Sequence, residues 1–170
     1  NETGPVNAPG NCAGVLAVAG VRHVGTKVGY SSFGPEVSVS APAGNCVNSY
    51  GPCLYSIDTT TNLGATSPAA NGYTDGYNYN VGTSFSTPQA AGVAALMLSL
   101  NQALTPADII ARIKQSASAF PTENTLPTCP NVATSGDTAG QCNCTTATCG
   151  AGILDAAAAV AAVLPTTTAT

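Results

Sequence analysis

The segment Gly82-Thr83-Ser84-Phe85-Ser86-Thr87-Pro88-Gln89-Ala90-Ala91-Gly92 holds the residues best arranged for chemistry. It reads as a glycine-permitted turn, a serine at the entrance of an apolar helix, and a proline within the first helical turn, where its missing N–H costs nothing. A serine in that place has an unpaired backbone N–H and lies at the positive end of the helix dipole. Such a position can hold an oxyanion. A lone serine before a helix is ordinarily no more than an N-cap, so the surrounding pattern has to carry any stronger reading. A serine hydroxyl is also a weak nucleophile until a base accepts its proton. The sequence has a single histidine, His23, in Val21-Arg22-His23-Val24-Gly25, and it reads as a surface or turn residue rather than that base.

The other reactive side chains are seven cysteines. They favour an oxidising compartment, because cytosolic thiols are kept reduced. Cys46 and Cys53 would close a short loop. Cys142 and Cys144 are too close to bridge each other comfortably, so Cys129 and Cys149 would take one each, in an order that spacing leaves open. The rival reading of these four is a zinc site. Cys12 is left over, and an odd count implies a free thiol or a partner elsewhere.

The elements that must position these residues follow from pattern. Val15-Leu16-Ala17-Val18-Ala19, bounded by Gly14 and Gly20, fits a strand buried on both faces of a parallel sheet. Val37-Ser38-Val39-Ser40 alternates and stops at Ala41-Pro42, a half-buried or terminal strand. Residues 43–82 show no helical period and read as a long loop region with room for one hairpin. In 90–100 only Gly92 and Ser99 are not apolar, which predicts a helix buried on all sides. Thr105-Pro106-Ala107-Asp108 is a helix start signal for a helix reaching to about Ala119. Residues 121–150 lack periodicity. A third helix over 155–163 ends at Pro165, with Asp155 as its cap, and 166–170 reads as a Thr-rich tail or linker. Strands ahead of long helices indicate an α/β fold.

Composition narrows the function classes. Only 7% of the 170 residues are charged, 44% are hydrophobic, and the net charge is −4 with four Lys and Arg. A chain so apolar is built to fold. Four basic residues give no electrostatic footprint for nucleic acid or an anionic membrane. No apolar run approaches the roughly 20 residues of a membrane span. The start, Asn1-Glu2-Thr3-Gly4-Pro5, lacks the basic and apolar pattern of a signal peptide.

Gly-Thr-Ser-x-Ser-x-Pro-x-x-Ala-Gly at 82–92 closely resembles the nucleophile motif of the subtilisin-like serine proteases. Asn11-Cys12-Ala13-Gly14-Val15-Leu16-Ala17-Val18-Ala19, Tyr30-Ser31-Ser32-Phe33-Gly34-Pro35, Val39-Ser40-Ala41-Pro42, Leu104-Thr105-Pro106-Ala107 and Cys149-Gly150-Ala151-Gly152-Ile153-Leu154-Asp155-Ala156 extend the resemblance along nearly the whole chain. Only 43–81 and 121–148 match loosely. The cysteines favour the secreted bacterial branch. The resemblance implies the C-terminal part of a three-layer fold, a parallel sheet flanked by helices, over 1–165. It also implies a secreted, extracellular endopeptidase acting on protein or peptide substrates.

Residue by residue, the resemblance makes Ser84 the nucleophile, Asn1 the side-chain donor of the oxyanion hole and Thr83 its support. It places the primary specificity pocket at Ala8, Pro9, Gly10, Ala13, Gly14 and Gly82, roomy enough for large apolar side chains. It pairs Cys12 with a cysteine of an upstream part that also carries the aspartate and histidine, so these 170 residues alone would be inactive and the upstream part of the same protease is the implied partner. Gln89 stands where many relatives have a non-catalytic histidine. Glu36 matches a position of a weak cation site, but Ser38 replaces a second carboxylate, so structural calcium is implied only loosely; the chemistry needs no cofactor. Two other classes compete. One is an inactive module on the same scaffold, and the other a disulfide-framed adhesion domain presenting aromatics between Tyr50 and Tyr79, against which the long apolar helices argue.

Overall fold

A computed structural model describes residues 5–46, 53–76, 80–131 and 140–164. Two parallel strands, β1 (Val18–Val21) and β2 (Val39–Pro42), pair Val18 with Val39 and Val21 with Pro42. The apolar run at 15–19 leads into β1 but does not set its limits: the Ala17 carbonyl accepts from the Ser38 and Val39 N–H groups, and the strand runs on through Gly20 to Val21. Gly150-Ala151-Gly152-Ile153 continues the sheet beside β2, with Ala151 N–H donating to Ser38, Ser40 N–H to Gly152 and Leu154 N–H to Ser40. A Cβ at Gly150 would lie 2.5 Å from the Ser38 carbonyl carbon, and its φ is 83°. Glycine is the residue that permits both.

Residues 59–74 hold an antiparallel hairpin, β3 (Thr59–Asn62) and β4 (Asn71–Thr74). Its threonines and Tyr73 supply β-propensity without an apolar face, so hydrophobic alternation does not delimit it.

Three helices follow: α1 (Thr83–Leu100), α2 (Pro106–Ser116) and α3 (Ala156–Ala161). Thr105 and Asp108 form a reciprocal capping box on α2, and Asp155 caps α3 by accepting from Ala158 N–H. The Thr105 hydroxyl, its largest influence, holds the Asp108 carboxyl below the usual range. Helix α1 packs on β1, β2 and α3. Val39, Val93, Met97, Ile109, Ile113, Ala159 and Val163 form the main core, and Val21, Phe33 and four cysteines a second one.

The all-round burial expected of α1 is not met among the described residues. Ala90, Val93 and Met97 are buried, but Leu96 and Leu100 are 54% and 48% exposed. The sheet and α3 lie against one side of the helix, and an apolar composition records only that both sides can be buried.

Disulfide distances join Cys46 to Cys53, Cys129 to Cys142 and Cys144 to Cys149. Among the described residues Cys12 is exposed with no disulfide partner. No helix among the described residues is long and apolar enough to cross a membrane.

Candidate active site

Ser84 is the second residue of α1, and its side chain is exposed. Gly82 precedes the helix with φ 153° and ψ 155°. That region is open essentially to glycine alone. It turns the chain sharply enough that Phe85 N–H reaches the Gly82 carbonyl at 3.0 Å while the N–H of Ser84, inside the first turn, has no intrahelical acceptor.

The helix start is clamped to the end of β2. The buried Ser86 hydroxyl lies 3.1 Å from both the Ala41 and Pro42 carbonyls. The Gln89 amide donates to Pro42 O and Phe85 O at 2.8 Å each. Gly82 N–H donates to Ala43 O at 2.7 Å. Together they tie the helix start to the carbonyls of residues 41–43 at the end of β2. The Tyr30 hydroxyl faces Ala43 O at 2.8 Å and Gly44 O at 2.5 Å. Burial pushes the Tyr30 phenol up to about 12, against a smaller opposing effect from the Gly82 backbone. Thr83 packs on β1 where Gly20 lacks a side chain, since a Cβ there would lie 3.1 Å from Thr83 Cγ2.

Ser84 opens onto a cleft of about 790 Å³. Its walls are Val6, Asn7, Pro9 and Gly10 on one side, residues 15–19 as the floor, Tyr30 to Ser32 beside it, and Gly82, Thr83 and Thr87 around the serine. Among the described residues no charged side chain lines it. Gly10 is packed closely in its own loop, where a Cβ would lie 2.8 Å from Val6 Cγ1 and 3.3 Å from Asn7 O.

Of the sequence candidates, the structure gathers Ser84, Thr83, Gly82, Pro9 and Gly10 at this cleft. Ala8, Ala13 and Gly14 are not among its lining residues; Gly14 instead borders a shallow depression with Ile110 and Lys114 of α2. The resemblance assigns 13–14 to the pocket, whereas the described lining resumes only at Val15, on the way into β1. Asn1 lies outside the described residues. His23 is exposed, stacks on Tyr55 with ring centroids 3.7 Å apart, and does not line the cleft. Sequence reasoning missed Ser86 and Tyr30 as positioning residues, and Asn7 and Thr87 as cleft residues. Ser86 carries the available signal: a buried polar side chain, the fourth residue of an apolar helix, has to find a partner.

For calcium, the described residues fit poorly. The one group of three or more potential ligand side chains among them is Cys129, Cys144 and Cys149, and Glu36 belongs to no such group.

An exposed serine at the N-terminus of a helix, facing a cleft whose described lining is uncharged, defines a hydrolase-type site on an α/β scaffold. Residues 1–152 match the peptidase S8 model, and the chain belongs to this subtilase family. Over 157 residues it is 38% identical to the extracellular protease of Xanthomonas campestris pv. campestris, covering 92% of this chain and 21% of that protein. It is 35% identical to a solved protease of Pseudoalteromonas arctica, at a TM-score of 0.67, covering 92% of this chain and 38% of that one. A protein of Trichormus variabilis named as a calcium-dependent protease is 38% identical over 111 residues, covering 60% of this chain and 16% of its own length. The chain therefore spans a minor part of each relative. Family membership sets aside the adhesion reading.

Proposed function

We propose that this chain supplies the nucleophile and one wall of the substrate cleft to an extracellular serine endopeptidase. The observation that carries this reading is Ser84, exposed at the start of α1 on an uncharged cleft. In the reaction, the Ser84 hydroxyl attacks the scissile carbonyl and forms an acyl-enzyme, and the unpaired Ser84 N–H stabilises the oxyanion. Asn1 is assigned the second oxyanion donor and Thr83 its support. Pro9, Gly10 and Gly82 take substrate side chains as part of the cleft.

The base and the acid that orients it come from a segment upstream of Asn1. The position of His23, stacked on Tyr55 away from the cleft, supports this. Cys12 is assigned a disulfide to the same segment. Extracellular action is supported by the names of relatives, the three disulfide pairings and the lack of a spanning helix among the described residues. No calcium-dependent step is assigned to this chain.

Labelling with a fluorophosphonate tests the reading. With the upstream segment present, Ser84 is modified covalently and peptide substrate is cleaved. The 170 residues alone show neither. Hydrolysis by the pure isolated chain would sink the assignment, and an unlabelled Ser84 in the full-length protein would establish the inactive-module alternative.

A further inference from the structure

The cleft accounts for one side of Ser84 only. Around α1, at about 100° per residue, Thr83 and Thr87 fall to one side of Ser84, toward the cleft, while Phe85, Pro88 and Gln89 fall to the other. These three border a second groove of about 470 Å³, whose opposite lining comes from Pro42 at the end of β2 and from Ile57 and Asp58 ahead of β3. Ser84 thus stands between two depressions, and a polypeptide laid across it enters both. We propose that the second groove binds the leaving-group side of the substrate and selects a Lys or Arg there, with Asp58 as the specificity-determining residue. The inference rests on the proposed peptidase reaction, in which the pocket at Pro9, Gly10 and Gly82 holds the acyl side.

The make-up of the groove fits a long basic side chain. Pro42, Ile57, Phe85 and Pro88 give it apolar walls, and Asp58 is the one charged residue among those lining it. Lysine and arginine lay their methylene stems along apolar surface and keep the charged head in water. Asp58 is exposed, so its carboxylate meets such a head at the solvent edge. The spacing agrees. Pro88 lies one helical turn beyond Ser84, a rise of about 6 Å, which an extended chain covers in about two residues. The first or second residue after the scissile bond therefore reaches the groove.

Charge points to the same class of occupant. The net charge is −4, and the four basic residues are Arg22, Lys27, Arg112 and Lys114. Arg22 pairs with Glu123, Lys27 is buried with its ammonium on Val28 O and Gly140 O, Arg112 donates to Ala162 O, and Lys114 lies on α2 near Gly14. None of the four lines the groove, so the cation that complements Asp58 there is left to the substrate. The hairpin register adds to the field. Thr59 opposes Thr74, and one step further along the two strands Asp58 stands opposite Asp75. Like charges in that relation repel. A basic substrate residue relieves the repulsion, and an acidic one increases it.

The test uses the full-length protease and peptides identical on the acyl side, with Lys, Gln or Glu at the first or second position after the scissile bond. At low salt kcat/KM should fall in the order Lys, Gln, Glu at one of these positions, by about 2- to 5-fold per step, the size of an exposed ion pair. The spread should close in about 1 M salt, where charges are screened within about 3 Å. Asp58→Asn should bring Lys and Gln together, Asp58→Lys should invert the order, and Asp58→Glu should keep it. Changes on the acyl side should respond to none of these substitutions. Binding of the same peptides to the Ser84→Ala protein, read by fluorescence anisotropy, should follow the same order without any need for turnover. A labelled, active Ser84 with no preference among the three peptides, or a preference that Asp58→Asn leaves intact, would overturn the groove. An unlabelled Ser84 would overturn the peptidase reading instead, and the binding order then decides the groove: no charge preference at either position refutes it.

Discussion

Ser84 and Ser86 lie on the same turn of α1, one exposed and the other fully buried. That contrast predicts opposite phenotypes. Ser86→Ala removes the donor at the Ala41 and Pro42 carbonyls. Pro42 O keeps Gln89, but Ala41 O loses this partner, and a buried polar group left so costs about 1–3 kcal/mol. A denaturant midpoint lowered accordingly, with labelling of Ser84 slowed, is the expected result. Ser84→Ala should leave the midpoint unchanged and reduce turnover of the full-length protein by about 10⁶-fold, a magnitude borrowed from subtilisin. Equal stability losses in both variants would contradict the division between clamp and nucleophile.

At the scale of elements, the junction from β2 to α1 explains what could be read in advance. The serine and its glycine turn were legible because each is a local requirement: φ for Gly82, a cap for Thr105. The place of Pro88 was not, since α1 begins at Thr83 and Pro88 is its sixth residue, past the first turn, where its missing N–H removes the helical bond to Ser84 O. The limits of β1, the hairpin at 59–74 and the exposed side of α1 were not. Each depends on a distant partner, Ser38 for Ala17, β4 for β3, and whatever packs on Leu96 and Leu100. The cleft shows the same split, since Gly82 and Ser84 are set locally whereas Tyr30 and Asn7 reach it through the fold.

The junction also yields a prediction. A Cβ at Gly82 meets nothing closer than Ser84 N at 3.9 Å, so space is not the constraint. Backbone conformation is, and Gly82→Ala should cost about 1–3 kcal/mol or rotate the first turn of α1. Either way Ser84 N–H leaves its place, so labelling by fluorophosphonate should fall well beyond the loss in stability. Normal labelling of a merely destabilised Gly82→Ala protein would show that the turn does not set the site.

For the whole molecule, two buried ionisable groups at separate places set an alkaline crest of stability. Burial pushes the Lys27 ammonium down to about 8, and its Nζ donates to Val28 O at 2.9 Å and Gly140 O at 3.1 Å, bonds that a neutral amine can keep. An unfolded lysine holds its proton to about 10.4. Between those values the unfolded chain binds more protons, so stability gained from Lys27 grows as pH rises from about 8 and is lost as pH falls back through it. Tyr30 works in the opposite sense. Its phenol is raised to about 12 in the folded chain, against about 10 when unfolded, so its contribution is intact below pH 10 and disappears as pH climbs toward 12. Denaturant midpoints should therefore rise from pH 8 to about 10 and fall beyond it. Lys27→Met should flatten the rising limb and Tyr30→Phe the falling one, each leaving the other limb in place. A midpoint that drops steadily from pH 8 to 10 in the wild-type protein would refute the Lys27 part of this account, and a falling limb that persists in Tyr30→Phe would refute the other.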